Sequence, residues 1–108
     1  MASAATIRYT TDVMTITLRG IDLTGYRTLV TVSQGSATTV TINNPTKSVE
    51  GGNTTLYVSM TQQQSGNLSA GRAKMQVNWI NGSGDRGATD VIDVVVGENL
   101  VPEVISYG

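Results

Sequence analysis

From Arg72 to Ile80 the chain alternates polar and apolar residues without a break. Arg72, Lys74, Gln76 and Asn78 share one parity, and Ala73, Met75, Val77 and Trp79 share the other. A period of two is what a pleated strand needs to show one face to a core and the other to water. The rhythm recurs along the sequence. Met14, Ile16 and Leu18 alternate with Thr15, Thr17 and Arg19, and Val30 and Val32 flank Thr31. Val40 and Ile42, then Leu56, Val58 and Met60, continue it. Nothing long repeats at 3.6 residues, so the chain reads as sheet.

The breaks between these runs carry turn chemistry. Asp22-Leu23-Thr24-Gly25 makes a corner, because Asp bonds local amides and Gly takes a positive φ. Gln34-Gly35-Ser36 is a turn, and Asn43-Asn44-Pro45 stops the strand before it. Lys47 to Glu50 pairs briefly ahead of Gly51-Gly52-Asn53, a strong hairpin signal. Asn81-Gly82-Ser83-Gly84-Asp85 is a second hairpin loop, from which Ala88 to Val96 returns as one strand. Thr61 and Gln64 have the spacing of a capping box, which predicts one or two helical turns ending near Asn67, with Leu68 tucked onto the core. Together these features predict an all-β protein: an antiparallel Ig-like β-sandwich with one short helical turn. Residues 1–108 form a single domain without an internal linker. The segment 97–108 is too apolar for a loose tail, and Pro102 suits it to an arm or an edge strand.

Composition narrows the function. Net charge is −1 and the seven Lys and Arg residues are scattered along the sequence, which argues against nucleic acid. With neither cysteine nor histidine, the chain has no disulfides, no thiolate metal site and no ordinary neutral-pH base. That fits assembly in a reducing cytoplasm. No apolar run approaches the length of a membrane span, and Met1-Ala2-Ser3-Ala4-Ala5 lacks the architecture of a signal peptide.

The remaining residues offer little chemistry. Asp90 and Asp93 lie three apart in a strand and so point to opposite faces. Serines and threonines abound, but no base activates them. The Asn81 to Asp85 loop has one carboxylate, too few for calcium, and its glycines precede no helix, so they give no dinucleotide fingerprint. Trp79 falls on the inward parity and belongs to the core, which leaves outward Tyr57 as the aromatic for contact. The expectation is a non-enzyme without cofactor or metal.

Outward apolar residues are the more telling feature. Burying Asp93 unpaired would be costly, so Ile92, Val94 and Val96 face in while Val91 and Val95 stay outside. Leu29 is outside by the same parity. With Tyr57 and the tail residues Leu100, Val101, Val104 and Ile105, they form the candidate interface of a homo-oligomer.

One ordered set of pieces adds a resemblance. An alternating strand leads into Asp22-Leu23-Thr24-Gly25, and another ends in Met60-Thr61-Gln62-Gln63-Gln64-Ser65. Leu68-Ser69-Ala70-Gly71 follows, then a strand, Gly84-Asp85-Arg86 and Ala88-Thr89. Over Ile16 to Val96 this set resembles the N-terminal β-sandwich module of upper baseplate proteins, a family of small phage baseplate and tail subunits. The resemblance implies a phage or prophage structural subunit made in the bacterial host cytoplasm and carried in the virion. Its partners would be other phage tail and baseplate proteins, with no nucleic acid and no membrane. Many such relatives continue into a longer C-terminal region, whereas this sequence stops at Gly108. The alternative of a different class is a carbohydrate-binding or adhesion β-sandwich, which exposed aromatics would favour.

Overall fold

The structure, a computed structural model, describes residues 3–35 and 38–108. Met1, Ala2 and the Ser36 end of the expected turn lie outside them. Among the described residues nine strands form, in chain order β1 (Ser3–Ile7), β2 (Val13–Leu18), β3 (Arg27–Gln34), β4 (Thr38–Asn43), β5 (Thr46–Glu50), β6 (Asn53–Ser59), β7 (Gly71–Ile80), β8 (Arg86–Ala88) and β9 (Ile92–Gly97). A short helix, α1 (Gln62–Gly66), joins β6 to β7. The larger sheet runs β1-β9-β7-β3-β4, with β8 beside β7, and the smaller runs β2-β6-β5. That order is the immunoglobulin type, and the sequence-derived sandwich is correct.

The core lies between the sheets and follows the alternation. Met14, Ile16, Leu18, Leu56 and Val58 from the small sheet meet Val30, Val32, Met75, Val77 and Val94 from the large one, all buried. Each such side chain contributes about 1.5–3 kcal/mol relative to exposure. Leu23 and Leu68, both buried, close the core from the loops. Asp22 Oδ1 accepts from the Thr24 amide at 2.9 Å, so the expected corner forms. Gly51 and Gly52 have φ of 59° and 80° and join the paired residues Glu50 and Asn53. A two-residue loop with both φ positive is a type I′ turn, whose twist matches the strands it links. Thr61 caps α1 as a full capping box: its hydroxyl accepts from the Gln64 amide, and the Gln64 side chain accepts from the Thr61 amide.

Three features depart from the sequence reading. First, Ser3–Ile7 is a strand that the alternation did not reveal, and it pairs parallel with β9, so the large sheet is not purely antiparallel. Its inward residues, Ala4 and buried Thr6, are too small to register as a hydrophobic row. Second, the returning strand is broken in two. Asn78 faces Ala88 and Met75 faces Ile92, so three steps along β7 are matched by four along the return. One extra residue of this kind is a β-bulge. Thr89 holds it: its amide donates to the Val77 carbonyl, its hydroxyl accepts from the Val77 amide, and its carbonyl accepts from Gln76.

Third, Trp79 faces inward but is only half-buried, packed against the core rather than within it. It sits one residue from the end of β7, in register with Gly87 of β8. A Cβ on Gly87 would lie 2.4 Å from the indole Nε1, so the absence of a side chain there makes room for the ring.

Candidate interaction surface

The candidate surface has three parts, and the topology decides which of the expected residues meet. Asp93 and Val95 on β9 share the outer face, Val91 just before the strand is exposed too, as expected, and Val95 is 56% exposed. Asp93 stands between the two valines and is in register with Lys74, so Val91 and Val95 do not join into one apolar patch. Val95 instead neighbours Ala5 on β1 and Arg72 on β7. Exposed Ile7, also on β1, lies at the level of Gly97, where the tail begins.

Leu29 is on the outer face but half-buried, so it contributes less free surface than the alternation suggests. It lines a shallow depression with Arg27, Asn78, Trp79, Ile80 and Arg86. Tyr57 is exposed on the outer face of the small sheet, opposite Thr15 on one side and Thr46 on the other. Around it the face is polar, lined by Thr17, Ser48, Glu50, Asn53 and Thr55. The Thr17 and Thr55 hydroxyls lie 3.3 Å apart.

The tail after Gly97 carries the most exposed apolar residues. Leu100 is 97% exposed, and Val101, Val104, Ile105 and Tyr107 are also exposed. It forms no strand. Its course is nonetheless fixed by polar contacts at both ends. At the base, Arg8 ion-pairs with Glu98 at 3.1 Å and donates to the Gly66 and Leu68 carbonyls, while Asn99 donates to the Arg8 carbonyl. Further along, the Gln62 amide side chain makes two 2.9 Å bonds to the Ile105 backbone, one donated and one accepted. Sequence alone could not reveal this strap, because Gln62 reads as an ordinary helix residue.

The acids are dispersed. Among the described residues, no three Asp or Glu side chains gather as a metal site would require. Asp22 is held below its ordinary value of 3.8, first by the Thr24 hydroxyl and then by the Thr24 amide. Asn81 organises its hairpin loop by accepting from the Ser83 and Asp85 amides, the work of a turn. No helix among the described residues is long and apolar enough to cross a membrane. Comparisons with protein-family models, curated proteins and solved structures returned no significant match.

Proposed function

We propose that the chain is a non-enzymatic structural subunit of a phage or prophage tail or baseplate, acting through protein–protein contacts and carried in the virion. The observation that supports this reading most is the tail: five large apolar side chains held in solvent by a hydrogen-bonded strap. Exposing apolar surface at that density costs solubility unless a partner covers it. Partners would be further copies of the chain and neighbouring tail proteins. Immunogold labelling of purified particles with an antibody against the chain tests the reading. Label on the tail tip or baseplate supports it; particles free of label, from cells that express the chain, overturn it.

The carbohydrate-binding alternative has Tyr57 in its favour, an exposed ring beside hydroxyls and Glu50. A glycan array with the purified chain separates the two. Binding abolished by Tyr57→Ala would favour the alternative.

A further inference from the structure

Folding gathers charge that the sequence spreads out. Arg27, Arg72, Lys74 and Arg86, four of the seven Lys and Arg residues, stand on the outer face of the large sheet. Two of them frame an apolar side chain. Ile80 is in register with Arg27 on one side and Arg86 on the other, which makes a row of cation, aliphatic and cation across β3, β7 and β8. Two strand spacings separate the arginine backbones by roughly 10 Å. Ile80 is 39% exposed, and Leu29 continues the apolar floor in the next row. Each guanidinium is steadied by an asparagine: Arg27 Nε donates to Asn43 Oδ1, and Arg86 donates to Asn78 Oδ1, both at 3.1 Å. Neither meets a carboxylate, for among the described residues Arg8 and Glu98 form the single ion pair.

The tail has the complementary pattern. Glu103 is exposed, with Val101 before it and Val104 and Ile105 after it. A carboxylate flanked by aliphatics matches two guanidiniums flanking an aliphatic. Yet tail and groove of one molecule lie at opposite ends of the sheet. The tail leaves β9 beside Gly71, the groove is at Ile80, and the nine steps of β7 between them span roughly 30 Å. The Arg8 and Gln62 contacts hold the tail at its own end.

We propose that the tail of one copy docks across the Arg27–Ile80–Arg86 row of the next copy. The Glu103 carboxylate lies between the two guanidiniums, and the neighbouring valines cover Ile80 and Leu29. The contact is heterologous, so successive copies close into a ring or extend into a filament. A segment this short buries less than a standard interface, which makes each contact weak and salt-sensitive. The proposal rests on the reading of the chain as an assembling subunit, and specifies how the copies meet.

Head-to-tail docking predicts a complementation that a symmetric interface cannot give. A groove variant, Arg27→Ser with Arg86→Ser, keeps a working tail. A tail variant, Glu103→Lys with Val104→Ser, keeps a working groove and the full-length chain. Both change exposed residues, and matching circular dichroism melts would show both to be folded. In sedimentation velocity the parent should form a concentration-dependent series that recedes as salt rises. Each variant alone should associate at least about tenfold more weakly. Mixed in equal amounts, the variants should form a one-to-one dimer and nothing larger. Variants that associate as the parent does, or a mixture that stays monomeric, overturn the docking while leaving the structural-subunit reading to the particle labelling. A parent monomeric at millimolar concentration overturns the docking as well.

Discussion

Gly87→Ala is the smallest change that tests how Trp79 is seated. The new methyl group would lie 2.4 Å from the indole Nε1 and 2.7 Å from Cε2, well inside contact distance. Gly87 does not have a positive φ, so backbone strain contributes nothing and the effect is steric. The ring must shift against the core or swing outward and give up its half-burial. Overpacking of this kind costs about 1–3 kcal/mol. For a domain near 100 residues, 1 kcal/mol lowers Tm by about 4–8 °C. The loss should therefore be at least about 4 °C in a circular dichroism melt. Trp79 is the sole tryptophan, so its fluorescence reports the displacement directly. A Trp79→Leu background supplies the control, since Gly87→Ala should cost little once the indole is gone. An unchanged melt with unchanged emission, or the same penalty in the Leu background, would refute the account.

Thr28 is fully buried and its hydroxyl has no hydrogen-bond partner among the described residues; Thr28→Val should raise the urea midpoint, by up to about 1 kcal/mol of stability, because an unsatisfied buried group costs about 1–3 kcal/mol. Thr61→Ala removes the cap of α1 and should cost about 1 kcal/mol in the same assay, with a neutral result ruling out the capping box as a stabiliser. Asp22 has a depressed pKa when folded, so its contribution is present above its ordinary value of 3.8 and is lost as pH falls through the lower folded value. Asp22→Ala should accordingly lower stability near neutrality and converge on the parent in strong acid, and a difference constant down to pH 2 would contradict that assignment.

Large side chains made the sandwich legible. Wherever Met, Ile, Leu or Val repeated every second residue, the strand and its buried face followed, as in β2, β3, β6 and β7. Backbone-specific residues made several turns legible too, notably Gly51-Gly52 and the Thr61–Gln64 box. What stayed hidden depended on the partner rather than on the local pattern. Ala4 and Thr6 are inward only because β9 positions β1, and the bulge at Thr89 arises from two strands of unequal length facing each other. The candidate surface was half legible. Val91, Val95 and Tyr57 are exposed as the alternation required, and the tail, read from its apolar content as an arm or edge strand, is exposed without forming a strand. The Arg27–Ile80–Arg86 row could not be read, because its members come from three strands and only cross-strand register aligns them.

The pairing of β1 with β9 also sets a timetable. Ser3 lies beside Asp93 and Ile7 beside Gly97, so the first strand waits for a partner 90 positions later. At about 5–20 residues per second, a ribosome needs roughly 5–18 s to supply that partner. Through that interval a hydrophobic strand with open edges would invite pairing with other nascent chains. The first half of β1, Ser3-Ala4-Ala5, is poorly suited to such pairing, since such small side chains offer little apolar surface to bind. The strand with the longest wait is thus among the least adhesive, and the sheet is completed when the last strand arrives.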